Sequence, residues 1–147
     1  MKCFKLGVDV GSTTIKVVVL NYYNKVIYSD YKRHFSDIKT ALKQALKECI
    51  DKIGNVNLRV TVTGSGGIAA SEWLKADFQQ EVISCTKAVE EFLHKTDVVI
   101  ELGGEDAKIT YLKDGVDQRM NGTCAGGTGA FIDQMAILLN TDAKGLN

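Results

Sequence analysis

Residues 4–33 hold three β-patterned runs joined by connections of only four residues, and no other feature limits the fold as tightly. Phe4, Leu6, Val8 and Val10 alternate with Lys5, Gly7 and Asp9, the period of a strand with one apolar face. Gly11-Ser12-Thr13-Thr14 reads as a turn, Ile15–Leu20 as a β-branched strand, Asn21–Asn24 as a second turn and Lys25–Arg33 as a third strand. Connections this short leave no room for a crossover, so the three strands are antiparallel neighbours.

A helix follows, with Ser36 as its expected N-cap and Asp37 suited to the positive end of the dipole. Ile38, Ala41, Leu42, Ala45, Leu46, Cys49, Ile50 and Ile53 keep the spacing of one buried stripe, and Gly54 is a natural stop. Arg59–Thr63 reads as a fourth strand running into Gly64-Ser65-Gly66-Gly67, with a short helix to Trp73. A second helical stretch carries Val82, Cys85, Val89, Phe92 and Leu93 on one side. Val98–Leu102 is expected as a short, apolar, buried fifth strand ending in Gly103-Gly104. Lys108–Leu112 and Val116–Met120 form a hairpin around Asp114-Gly115, and a last helix carries Phe131, Met135, Leu138 and Leu139. The order gives an α/β domain: a five-stranded mixed sheet with flanking helices.

Composition removes several functions. The 147 residues suit one globular domain, and 18 basic against 18 acidic residues leave a net charge of zero. Gripping nucleic acid or an anionic membrane by charge needs a basic excess, so neither is an expected partner. No run approaches the roughly 18 apolar residues of a membrane span. Asp9 and Lys16 interrupt the amino-terminal apolar run before a signal peptide could form, so a cytoplasmic chain is expected. The four cysteines form no C-x-x-C pair, which leaves neither zinc spacing nor a disulfide framework. Cys3, Cys49 and Cys85 fall at apolar positions and are expected in the core.

The glycines cluster where chemistry is expected. In an α/β sheet, ligands bind at the carboxyl ends of strands, and turns of Gly, Ser and Thr there offer N–H and hydroxyl groups to phosphate oxygens. The first such turn is Gly11-Ser12-Thr13-Thr14, preceded by Asp9 on the strand face opposite Phe4, Leu6 and Val8. A carboxylate beside phosphates works through a metal ion, which offsets like-charge repulsion. The second turn is Glu101-Leu102-Gly103-Gly104-Glu105-Asp106, again strand, glycine and acid. There is no Walker A loop and no G-x-G-x-x-G opening a helix after the first strand. The third feature is Cys124 in Asn121–Gly129, a glycine-rich run ahead of a helix. Such a start favours thiolate, which is both a nucleophile and a ligand for soft metals and iron–sulfur clusters.

These residues, in this order, resemble the BadF/BadG/BcrA/BcrD-type ATPases, and more narrowly the activators of 2-hydroxyacyl-CoA dehydratases. The resemblance runs from about Phe4 to the end, and the segment around Cys124 is its most specific part. It implies a ribonuclease-H-like lobe of the actin, Hsp70 and sugar-kinase fold, the amino-terminal lobe of a two-lobed ATPase whose second lobe is absent from this chain. It implies ATP and Mg²⁺, with Asp9 on the metal, Gly11, Ser12, Thr13 and Thr14 as one phosphate turn, and Gly103, Gly104 and Glu105 in the other. Asp9, Glu101 and Asp106 become the expected catalytic residues. It further implies a homodimer sharing one [4Fe-4S] cluster, with Cys124 as the first cluster cysteine. ATP hydrolysis then drives one electron into a dehydratase or reductase acceptor. Glu105 departs from the family, many members of which carry Gln there, and the second cluster cysteine and the adenine-binding half lie beyond Asn147.

Two other readings share the fold. One is a lobe of a small-molecule kinase with Asp106 or Glu105 as general base, for which Cys124 has no use. The other is a non-catalytic, nucleotide-responsive actin-like domain.

Overall fold

The computed structural model describes residues 3–122 and 128–146, and the chain divides into two compact units, Met1–Ser84 and Cys85–Asn147. In the first unit, β1 (Phe4–Val10), β2 (Thr14–Leu20), β3 (Val26–Arg33), β4 (Leu58–Thr63) and β5 (Asp77–Phe78) form one sheet in the order β3-β2-β1-β4-β5. The first three strands are antiparallel neighbours, while β4 runs parallel to β1 and β5 parallel to β4.

Register follows from the alternation. Leu6, Val8 and Val10 of β1 face Val19, Val17 and Ile15 of β2, and all six are buried. A shift of one residue would turn that apolar set to the other face, so burial and register specify each other. The helices α1 (Ile38–Ile53) and α2 (Gly67–Leu74) complete the core with Leu42, Ala45, Cys49 and Ala70. The opposite strand face carries Lys5, Gly7 and Asp9.

The cap of α1 is Asp37, not Ser36: the Asp37 carboxylate accepts from the Thr40 N–H at 3.1 Å, and Ser36 stands outside the helix with φ +67°. Gly54 ends the helix, its N–H donating to the Ile50 carbonyl. Cys49 is buried as expected, whereas Cys3 and Cys85 are only half-buried.

The second unit holds a three-stranded antiparallel sheet of β6 (Val98–Leu102), β7 (Ala107–Tyr111) and β8 (Asp117–Met120). The helix α3 (Glu81–Phe92) crosses the unit boundary, and α4 (Gly129–Leu138) follows the sheet. The expected fifth strand of the mixed sheet, 98–102, therefore lies elsewhere. The Gly103–Asp106 connection is short enough to fold β7 back on β6, so β6 opens a meander, and the fifth position of the mixed sheet goes to the two-residue β5. Nor is β6 buried: Ile100 is 70% and Leu102 68% exposed. The last helix likewise buries Ala136 while Leu138 and Leu139 stay exposed. Among the described residues no helix is long and apolar enough to cross a membrane.

Candidate functional site

At the carboxyl end of β1 two turns are built around one residue. The Gly11 N–H donates to the Thr14 carbonyl at 2.9 Å and closes the first turn. The second is Gly64–Gly67, at the end of the parallel strand β4, where the Gly66 N–H donates to the Val10 carbonyl at 2.9 Å. A Cβ on Gly64 would stand 2.2 Å from the Val10 carbonyl oxygen and 2.6 Å from Asp9 Oδ1. The backbone of this turn thus lies directly against the Asp9 carboxylate.

Asp9 is half-buried and pairs with Lys16 across the hairpin, Oδ2 to Nζ at 2.8 Å. The Lys16 ammonium also stands 5.7 Å from the centre of the Tyr31 ring, which adds a cation–π contact. A Cβ placed on Gly11 would make ordinary contacts with the Thr14 carbonyl oxygen at 3.6 Å, the Thr14 hydroxyl at 3.8 Å and Lys16 Nζ at 4.0 Å. The fold therefore does not require glycine at this position. Ser12 is exposed, Thr13 half-buried and Thr14 buried.

His34 was not among the residues expected at the site. It follows β3, is 6% exposed, and its Nε2 lies 3.1 Å from the Gly11 carbonyl oxygen. Its sequence signal is weak, because a single histidine after a strand carries no periodicity and no motif.

In the second unit, Glu101, Gly103, Gly104, Glu105 and Asp106 lie together as the end of β6 and its turn, closed by the Gly103 N–H donating to the Asp106 carbonyl at 2.8 Å. The first amides of α4 bond to this turn: Gly129 N–H donates to the Gly103 carbonyl at 2.9 Å and Ala130 N–H to the Gly104 carbonyl at 2.8 Å. Glu101 faces Lys108 across the β6–β7 ladder. Burial raises the pKa of the Cys85 thiol, and the neighbouring Glu101 carboxylate, which takes its hydrogen bond, raises it further. Cys85 is thus a protonated donor to Glu101 rather than a thiolate.

The expected residues fall into two groups. Asp9, Gly11, Ser12, Thr13 and Thr14 come together in the first unit, and Glu101, Gly103, Gly104, Glu105 and Asp106 in the second. Asp9 and Glu101 belong to different sheets, because β4 and β5 occupy the parallel side of β1 and β6 pairs with β7. Cys124 lies outside the described residues.

Among the described residues no group of three or more His, Cys, Asp or Glu forms a metal site. Magnesium beside phosphates needs only one or two carboxylates and water; Asp9 supplies one carboxylate at the turn, with its Oδ2 held by Lys16 at 2.8 Å. A [4Fe-4S] cluster wants four thiolates, and Cys3, Cys49 and Cys85 do not fit one.

The five-stranded mixed sheet with flanking helices is the fold of the actin, Hsp70 and sugar-kinase class. Solved structures agree on that fold. That of component A of the (R)-2-hydroxyglutaryl-CoA dehydratase from Acidaminococcus fermentans superposes with a TM-score of 0.83 at 23% identity, covering 98% of this chain and 57% of that one. Within the class, the chain belongs to the BadF/BadG/BcrA/BcrD ATPase family, whose model matches residues 6–146. It is 31% identical over 150 residues to the 2-hydroxyisocaproyl-CoA dehydratase activator of Clostridioides difficile, covering 97% of this chain and 55% of the relative. The structure of the activator of that dehydratase with bound ADPNP superposes with a TM-score of 0.85 at 30% identity, covering 97% of this chain and 55% of that one. The (R)-2-hydroxyglutaryl-CoA dehydratase activating ATPase of Acidaminococcus fermentans is 27% identical, covering 99% of this chain and 57% of the relative. The chain thus spans about half the length of the curated relatives it matches.

Proposed function

We propose that this chain is the amino-terminal, phosphate-binding lobe of an ATPase that activates a 2-hydroxyacyl-CoA dehydratase or a similar reductase by driving one electron into it. The observation that carries this is the pair of glycine turns at the end of β1, Gly11–Thr14 and the Gly64–Gly67 turn packed against Asp9, in a chain about 30% identical to an activator seen with ADPNP. In this reading the Gly11–Thr14 amides and hydroxyls take phosphate oxygens, and Gly103–Asp106 is assigned the same chemistry. Asp9 holds magnesium, which when bound stabilises the charge that builds on the transferred phosphoryl group. Glu101 and Asp106 are the further carboxylates assigned to hydrolysis. Cys124 is assigned to an iron–sulfur cluster shared by two copies of the whole protein.

The test uses the whole protein, made without oxygen. Asp9→Asn abolishes magnesium-dependent ATP hydrolysis and leaves the fold intact, because a half-exposed ion pair such as Asp9–Lys16 is worth only about 0–1 kcal/mol. Cys124→Ser removes iron and electron transfer while sparing hydrolysis. Undiminished hydrolysis in the first variant moves the metal to another carboxylate. Normal iron content in the second removes the activator reading in favour of a kinase-like one.

A further inference from the structure

His34 makes four hydrogen bonds, and together they tie the Gly11–Thr14 turn to the start of α1. Its N–H donates to the Thr13 carbonyl at 3.2 Å, and its carbonyl accepts from the Asp37 N–H at 2.7 Å. The ring works at both nitrogens: Nδ1 accepts from the Ser36 N–H at 3.1 Å, and Nε2 faces the Gly11 carbonyl oxygen at 3.1 Å. A backbone N–H can only donate and a carbonyl can only accept. The two contacts are therefore satisfied together by one form alone, the neutral ring with its proton on Nε2.

The segment after His34 is bent to suit. Phe35 and Ser36 both hold positive φ, +45° and +67°, although neither is glycine. That conformation is disfavoured for residues with a side chain, and here it brings the Ser36 N–H round onto Nδ1. Strain kept in this way marks a geometry that the surroundings hold in place.

We infer that His34 is the positioning residue of the Gly11–Thr14 turn: through Nε2–H it fixes the Gly11 carbonyl, and so the direction in which the turn's amides and hydroxyls face a phosphate group. This rests on the phosphate reading of the turn. His34 does not touch the ligand. It acts through Gly11.

Two conservative substitutions separate positioning from filling space. His34→Gln keeps an N–H donor near the Nε2 place, toward Gly11. His34→Asn keeps an acceptor near the Nδ1 place, toward Ser36, and loses the Gly11 contact. His34→Phe loses both. With magnesium and ADPNP as probe, followed by NMR titration of the 147-residue chain, His34→Gln stays within about threefold of the parent. His34→Asn and His34→Phe weaken binding by about tenfold or more, as expected when a part-buried carbonyl loses its donor. Equal affinities for the Gln and Asn variants would overturn the inference, since a space-filling role does not distinguish them.

A second readout needs no nucleotide. The chain has only two histidines, so the His34 ring nitrogens are readily assigned by ¹⁵N NMR, and they show the Nε2–H tautomer. Amide exchange at Thr13 and Thr14 is faster in His34→Asn than in His34→Gln. The other tautomer, or equal exchange, overturns the positioning role. Failure of the parent to bind ADPNP, with these signatures intact, overturns the phosphate reading alone.

Discussion

Three glycines in the first unit separate what the fold needs from what a ligand needs. Gly54 has φ +77° with ψ −173°, a conformation essentially confined to glycine, and a Cβ added there would meet nothing within 4 Å, so alanine carries only the cost of the backbone conformation, about 1–3 kcal/mol. Gly64 has φ +98° and would drive a Cβ to 2.2 Å from the Val10 carbonyl oxygen, a backbone atom that cannot swing aside. Gly64→Ala is expected to cost about 3 kcal/mol or more, lowering the melting temperature by roughly 10 °C. Gly11 has room for a methyl, and Gly11→Ala changes stability by less than about 1 kcal/mol. The same methyl stands on the turn assigned to phosphate, so ADPNP binding is expected to fall by about tenfold or more. Melting curves and calorimetry on the three variants check the ordering. A large stability loss at Gly11 would show that the turn, and not a ligand, requires glycine there.

At the scale of elements, the start of α1 sets a limit on acid stability. The Thr40 N–H bonded to Asp37 holds its carboxyl below the usual aspartate range, with the Thr40 hydroxyl adding to the effect. A carboxyl lowered by folding stabilises the native state above its unfolded pKa, and that contribution is lost as pH falls through the native value. The melting temperature is therefore expected to hold from pH 7 down to about 4 and then fall. Asp37→Asn, which keeps a capping oxygen but cannot titrate, has a flatter acid limb. Parallel limbs for the two proteins would mean that other carboxylates govern acid unfolding.

The same elements show how far a pattern can be read. The alternation of β1 and most of the 3–4 stripe of α1 appear in the structure where the residues place them, because one-sided burial leaves that trace, but Ile50 of that stripe is exposed. The Gly11–Thr14 and Gly103–Asp106 turns were legible from glycine beside acid. The sheet to which 98–102 belongs was not, since a short apolar run does not name its partner. The strand β5 is too short to carry a period. No pattern in the sequence marks His34, because its two ring nitrogens reach backbone groups as far away as Gly11, which no local spacing encodes.

At the scale of the whole molecule, the chain covers 55% of the dehydratase activator from Clostridioides difficile. The adenosine pocket and a second cluster cysteine are assigned here to the other part of such a protein. The 147-residue chain alone is thus expected to bind ATP weakly, with a dissociation constant well above about 1 μM, and to purify colourless. Calorimetry and an iron assay on this chain check both. Submicromolar binding would place the nucleoside contacts inside these residues, and a brown protein would mean that they already hold the cluster.

The bonds from Gly129 and Ala130 to the Gly103 and Gly104 carbonyls give α4 the character of a lever. Its ten residues make a rod of about 15 Å, anchored at one end to the glycine turn. A tilt of about 10° at that anchor carries the far end through roughly 2–3 Å. The far end bears Ile137, Leu138 and Leu139, all exposed. A rearrangement at Gly103–Gly104 too small to break a hydrogen bond would thus displace the apolar tip by more than half a methyl group's width.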